Sequence, residues 1–488
     1  MSVTDTDARS VGIVGPPVST EPVRKALAAA GFRFAWADGP AELVLWVVDV
    51  EAGVPEGTRD RFRKTFETAV PRLVVFLAGG DRVPADRSFL PELVELDVRG
   101  LLDELGVDGE AVPVLHGSIS ELAAALMGPA QREERPLTRG GSDHSIFQSV
   151  DRPPERRETP EAWIVPVFYG TDRERTGKPS PQDFFGPGRG ELSFGVVEVS
   201  LPKEREKGEM PTPSWWKPWQ RKEDPSRFVL LLKVTPVEKG SFVAELRQAV
   251  TGARVPEALV FVHGFKVPFA EAAERAAQVA LDLEFTGVPL VYSWPSEGKV
   301  FDYTVDEANV EWSAPHFEEF LRMVLAESGA RTVHVIAHSM GNRALVRALS
   351  SLQAQAAASG GAALRQIIFA APDVDRDTFV ELAAKFQGRA ERFTLYGSSN
   401  DRALKASKFF HRYPRAGESG ENMALAEGID TIDSSAADTS LIAHSSYGSK
   451  RSILADISLL LRYGHAPDGR FGFLPRERKN RKYWVYQP

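Results

Sequence analysis

The chain of 488 residues is longer than a single hydrophobic core usually grows, so its length calls for two or three domains. With 43% hydrophobic and 26% charged residues it has the make-up of a soluble globular protein, and a net charge of -8 argues against a nucleic-acid-binding surface. The absence of cysteine excludes disulfides, thiolate metal sites and a cysteine nucleophile in one step. The opening MSVTDTDARS has no basic-then-apolar order, and apolar runs such as ALVFVHGF fall far short of the ~18 residues of a membrane span. The expectation is a cytoplasmic protein without a membrane span.

Residues 11 to about 130 alternate strand-like runs (VGIVG, ELVLWVVDV, RLVVFLAG, AVPVLHG) with amphipathic segments (PVRKALAAAG, TRDRFRKTFETA, PELVELDVRGLLDEL). That order predicts a parallel sheet flanked by helices, a first α/β domain over 1–130. The stretch 131–160 is rich in charge, Gly, Ser and Pro without apolar periodicity, and reads as a linker. A second α/β domain is expected over 161–488. It opens with AWIVPVFYGTDR, ELSFGVVEVSLP and FVLLLKVTPV. It continues through ALVFVHGF, PLVYSWPS, FEEFLRMVLAESG, TVHVIAHS, GNRALVRALSSL, QIIFAAPDVD and RFTLYGSSND to SILADISLLLRYG. The insertion PTPSWWKPWQRKEDP reads as a loop pinned by its rings, or as a cap on an apolar pocket.

The segment VHVIAHSMGNRALVRAL carries the chemistry. Ala337-His338-Ser339-Met340-Gly341 follows an apolar strand and precedes a run of helix formers, the context of a nucleophile on a sharp strand-to-helix turn. Small residues two before and two after the serine are needed because the backbone there is strained and closely packed. FVHGF, at 261–265, ends another apolar strand in a His-Gly turn. The N–H of Phe265 paired with that of Met340 would form an oxyanion hole for a tetrahedral intermediate.

The order nucleophile, acid, base then limits the remaining candidates. Asp401, after RFTLYGSSN, stands where the acid most often falls. Asp375 is the alternative, although Asp373 and Asp375 suit the N-cap of the helix that follows. Of the later histidines, His411 follows Asp401 too closely and His465 lies beyond a long helix, which leaves His444, before the last helix, as the base. His338 is expected to pack or hydrogen-bond nearby rather than to act as a base. Tyr292, Trp294, Tyr303 and Trp312 read as an acyl pocket or as core. The reaction so read needs no metal and no cofactor; its partner is an acyl or ester substrate.

Two resemblances add to this. The blocks FYGTDR, FGPGRGELSFGVVEVSLP, FVHGF, YSWPSEG, AHSMGNRAL, APDVD, TLYGSSNDRAL, GIDTID and HSSYG, spread from about Val165 to about Leu461, resemble a family of α/β-hydrolases long catalogued as a domain of unknown function. The resemblance implies the α/β-hydrolase fold, a mostly parallel sheet with helices on both faces. It also implies a serine hydrolase of the esterase type with the roles above on Ser339, Asp401 and His444. The blocks ELVLWVVDVEAGVPEGTRDRF, VPRLVVFLAGGDRV and FLPELVELDVRGLLDELGVDGEAVPVLHGS are similar to the GTP-binding domain of elongation factor Tu, which implies a smaller P-loop-GTPase-like α/β domain in front.

In that second resemblance the nucleotide chemistry is missing. Gly15-Pro16-Pro17-Val18-Ser19-Thr20-Glu21 has Glu21 where a P-loop needs its lysine, and two prolines that remove N–H donors. The guanine-reading motif survives only as Asp81. The expectation is a pseudo-GTPase domain without tight GTP binding, which docks a protein partner or serves as a scaffold.

Overall fold

The computed structural model describes residues 10–14, 17–29, 33–34, 43–50, 73–79, 83, 91, 94–95, 98–99, 102, 112–116, 122, 157–205, 207, 210, 224–296, 303–352, 361–399, 413–436 and 450–487. The chain divides into two compact units, Met1–Asp151 with Ser214–Arg221, and Arg152–Pro213 with Lys222–Pro488. Among the described residues no helix is long and apolar enough to cross a membrane, which says nothing of strands.

In the first unit, β1 (Ser10–Val14), β2 (Arg33–Phe34), β3 (Leu43–Asp49), β4 (Leu73–Ala78) and β5 (Val114–His116) form an all-parallel sheet in the order β2-β1-β3-β4-β5. A parallel sheet is covered on both faces, so LVLWVVD and LVVFLA are apolar throughout rather than alternating. Helix α1 (Pro17–Ala29) lays Val23 and Leu27, one turn apart, against Leu45, Val47 and Phe76. The helical residues Val94, Val98 and Leu102 repeat that spacing on the other face, against Trp46, Val48 and Val75. The helix expected over 58–69 lies outside the described residues.

The second unit is built on one large sheet. Its strands are β6 (Arg157–Glu158), β7 (Ala162–Arg175), β8 (Phe185–Pro202), β9 (Leu230–Val237), β10 (Glu257–Val262), β11 (Val288–Ser293), β12 (Thr332–His338), β13 (Ala363–Ala370), β14 (Ala390–Gly397), β15 (Ile429–Asp433), β16 (Phe473–Arg478) and β17 (Arg481–Tyr486). They run in the order β16-β17-β15-β14-β13-β12-β10-β11-β7-β8-β9, with β6 paired to β7. The strands from β17 to β7 in this order are parallel to one another; β8, β9, β6 and β16 are antiparallel to their neighbours. Strand β6 lies within the span read from sequence as linker, and residues 211–223 of the Trp-rich insertion, with all three of its tryptophans, lie outside the described residues.

Side chains alternate between two cores. Ala258, Val260 and Val262 of β10 and Val333, Val335 and Ala337 of β12 face the side covered by α2 (Lys239–Gly252), α4 (Tyr303–Glu327), α5 (Gly341–Ser351) and α6 (Arg376–Phe386). Leu259 and Phe261 of β10 and Ile336 of β12 face α3 (Phe269–Asp282) and α7 (Lys450–Tyr463). Helix α3, FAEAAERAAQVALD, combines the best helix former with a side chain small enough to lie close on the sheet.

This arrangement decides where a site can be. Strands β10 and β12 are neighbours, but the chain leaves β10 toward β11 on one side and β12 toward β13 on the other. Crossovers that diverge in this way open a crevice at the carboxyl ends of the two strands, the usual place for a ligand in an open α/β sheet. The His263-Gly264-Phe265 turn and Ser339 both follow those ends.

Candidate active site

Ser339 sits between β12 and α5 with φ at +46°, in the left-handed region that L residues avoid. A non-glycine residue held there costs about 1–3 kcal/mol and persists only where its surroundings over-determine it. They do so through the backbone. Its N–H donates to the Ala370 carbonyl at 2.9 Å, and its own carbonyl accepts from the N–H of Asn342 (3.2 Å) and of Asp373 (3.1 Å) and from Asn342 Nδ2 (2.9 Å). Ala371, at the end of the adjacent β13, is left-handed as well and is braced by its N–H on the Tyr396 carbonyl at 2.9 Å. Two neighbouring strand ends thus carry paired, strained turns.

The small residues around the serine have measurable reasons. Ala337 is fully buried in the core. A Cβ added to Gly341 would lie 2.3 Å from the His263 carbonyl oxygen and 3.1 Å from Val262 Cγ1, so helix α5 starts in contact with the end of β10. A Cβ on Gly264 would meet His338 Nδ1 at 2.8 Å and Ser339 Cβ at 3.0 Å. The His-Gly turn is therefore pressed directly against the serine turn. Among the described residues neither the N–H of Phe265 nor that of Met340 donates a hydrogen bond, and Ser339 Oγ has no hydrogen-bond partner.

The turn after β10 is itself held in place. Lys266 is left-handed, with φ at +61°. Its N–H donates to Asp306 Oδ2 at 3.3 Å, and the N–H of Val267 donates to Ser296 Oγ at 3.2 Å, while Ser296 Oγ donates to the same Asp306 carboxylate. The Phe265 ring meets Tyr303 edge-on, with centroids 5.4 Å apart. Tyr303 donates its hydroxyl to the buried Asp373 carboxylate at 2.6 Å, and Arg415 Nε stands 3.0 Å from the other oxygen of that carboxylate. Arg343, in the first turn of α5, donates Nε to the Asp373 carbonyl at 2.8 Å and also bonds Glu307. Burial opposes the charge on Arg343, but Asp373, Tyr303 and Glu307 outweigh it and hold its pKa above the ordinary value. Burial and then the Asp373 charge push the Tyr303 phenol up, so it stays a donor.

The two histidines beside these turns are neutral at pH 7. Burial, reinforced by Arg173, holds His263 well below the ordinary imidazole value. Burial, with a smaller push from Arg275, brings His338 to about 4. His338 packs on the Gly264 turn, as expected of it. Tyr292 and Trp294 are fully buried and belong to the core, and Tyr303 serves the Asp373 cluster.

Of the residues singled out in the sequence, Ser339, Met340 and Phe265 are brought together by the ends of β12 and β10. Asp375 caps α6, its carboxylate accepting from the Thr378 N–H at 2.8 Å. Asp401, His444 and His411 lie outside the described residues. His465 is exposed and stacks on Tyr463 at 5.6 Å. A cavity of about 430 Å³ flanks α5, between Glu307, Arg347, Val374 and Tyr413; a second, of about 360 Å³, is lined by residues of β7, β8 and α2 and does not include the serine. Among the described residues no three His, Asp or Glu side chains are grouped closely enough to hold a metal ion. The supporting residues Arg173 and Asp306 are ones that sequence reasoning did not assign, and Asp373, read there as a possible N-cap, instead holds Tyr303 and Arg415 while Asp375 makes the cap.

The close approach of Gly341 to the His263 carbonyl yields a test. Gly341→Ala forces β10 and α5 apart, with an expected cost of about 1–3 kcal/mol from overpacking, read as a lower urea midpoint for the second unit. Because the displaced carbonyl belongs to the His-Gly turn, any activity at Ser339 is expected to fall further than stability alone explains. An unchanged midpoint would mean that the two ends do not touch.

Residues 238–462 match the model of a family described as alpha/beta hydrolase of unknown function (DUF900). The match begins after β9 and takes in both turns, so this region is similar to α/β-hydrolases, in keeping with its mostly parallel sheet and flanking helices, and hydrolysis is the class of activity that it supports.

Proposed function

We infer that the protein is a serine hydrolase of the esterase type, acting on a carboxylic ester through Ser339, Asp401 and His444. His444, oriented by Asp401, takes the proton of Ser339 as its Oγ attacks the acyl carbonyl. The carbonyl oxygen becomes an oxyanion and is received by the N–H groups of Phe265 and Met340. Collapse expels the alcohol, which takes the proton from His444, and leaves an acyl-enzyme that water, activated by the same histidine, hydrolyses to the acid. The observation that carries the reading is the left-handed Ser339 packed against a turn whose Phe265 N–H, like that of Met340, donates to no described residue.

A fluorophosphonate probe tests it. The probe is expected to label Ser339, and Ser339→Ala to abolish labelling; persistent labelling of that variant would remove the serine from its role. Asp401→Asn and Asp375→Asn separate the two acids, since only the true one should lower turnover by orders of magnitude. The capping bond of Asp375 to Thr378 favours Asp401, and Asp375→Asn is expected to leave turnover close to wild type.

For the first unit the reading is a pseudo-GTPase domain, similar to that of elongation factor Tu, that docks a translation-related protein and controls the hydrolase. Its support is the parallel sheet together with Glu21, which falls at the position of the P-loop lysine in the sequence and, within α1, is engaged by Arg24 at 2.9 Å. A carboxylate there repels a phosphate instead of neutralising it. A fluorescent GTP analogue is expected to show no saturable binding at concentrations that fill a P-loop GTPase; saturation would refute the pseudo-GTPase reading.

A further inference from the structure

Arg173, at the end of β7, is 2% exposed and spends its guanidinium on the loops behind the two turns. Nε donates to Ser293 Oγ at 3.0 Å. One terminal nitrogen donates to the carbonyls of Ser296 (3.3 Å) and Gly186 (3.4 Å). The other donates to the Val267 carbonyl at 2.6 Å and stands 3.4 Å from His263 Nε2. A guanidinium only donates, so His263 Nε2 must be the acceptor nitrogen of that ring, and it also lies 3.3 Å from the Ser293 hydroxyl. The ring proton is thereby assigned to Nδ1, which is 2.8 Å from the Gly264 carbonyl oxygen and donates to it. The imidazole is clamped further by Trp294, whose ring stacks on it at 4.9 Å and whose Nε1 donates to the His263 carbonyl at 2.9 Å.

The last link of this chain has a directional consequence. The carbonyl of Gly264 and the N–H of Phe265 belong to one planar, trans peptide group and point in opposite directions. Whatever holds the carbonyl toward the His263 ring holds the N–H of Phe265 away from it. We propose that Arg173, acting through Ser293 and His263, is a positioning residue that sets the peptide plane of the Phe265 oxyanion donor. The inference rests on the esterase reading, because it matters only if an oxyanion forms at Ser339. It explains a fully buried arginine and a fully buried, neutral histidine that the triad itself does not use.

Lysine at position 173 keeps the charge but cannot fork to Ser293, Val267 and Ser296 at once. A mispositioned donor acts on the reaction step and not on binding. The test follows the rate of fluorophosphonate labelling at Ser339 against probe concentration, giving the saturating rate and the half-saturating concentration separately. Arg173→Lys is expected to lower the saturating rate about 100-fold, the usual effect of one lost oxyanion donor, at an unchanged half-saturating concentration. Ser293→Ala, a milder change that decides the matter if Arg173→Lys does not fold, should lower the rate roughly three- to tenfold, as for one neutral hydrogen bond. Folded variants with the wild-type rate, or with only a raised half-saturating concentration, overturn the positioning role while leaving the esterase reading intact. A wild-type protein not labelled at Ser339 removes that reading and this inference with it.

Discussion

The second unit depends on how closely two strand ends approach each other. Helix α5 begins so near the end of β10 that Gly341 has no room for a Cβ beside the His263 carbonyl, and Gly264 has none beside Ser339 and His338. Parallel strands in register bring the ends together: Val262 lies opposite Ala337 in the ladder, so the residues that follow both strands emerge at one level. Strain at Ser339, Lys266 and Ala371 is the conformational cost of turning the chain at three strand ends within that space. The backbone hydrogen bonds among Ser339, Ala370, Asn342 and Asp373 hold the turns against relaxation.

Around this contact the buried charges are arranged to fix loops. Arg173 ties the ends of β7, β10 and β11, Asp306 takes the N–H of Lys266, and Asp373 gathers Tyr303 and Arg415 beside the N–H that it gives to Ser339. Each charge meets hydrogen-bonding partners, as burial demands. Leaving one carboxylate unpartnered would cost more than the interaction is worth on its own, so these residues specify loop position as well as stability. His263 and His338, held neutral, add no charge of their own to the space in front of Ser339.

What could be read in the sequence is what depends on local chemistry. A serine between an apolar strand and a helix-forming run, with Ala337 and Gly341 flanking it, shows its size constraint in five letters. So does the Gly264 turn. The helical capping of Asp375 and a triad acid share one signature in the sequence, an Asp after a strand, and the cap became visible only through the Thr378 N–H contact. Arg173 could not be assigned because its role exists only through pairing 122 residues away, where Thr171 of β7 stands opposite Ser293 of β11. Strand β15 is short, and the β16–β17 hairpin has the charged tip RERKNRK, so neither showed the apolar run by which the inner strands were recognised. In the first unit the inner strands β3 and β4 were legible for the same reason, whereas β2 has two residues and carries no pattern.

In the proposed mechanism Ser339 attacks, and the N–H groups of Phe265 and Met340 receive the resulting oxyanion. A crystal structure of the protein after reaction with a phosphonate tests it most directly, because the tetrahedral phosphorus stands in for the intermediate. The expected result is a covalent bond from Ser339 Oγ, with a phosphoryl oxygen at roughly 2.7–3.1 Å from both nitrogens. A bond to any other residue, or a phosphoryl oxygen directed away from both N–H groups, would contradict it.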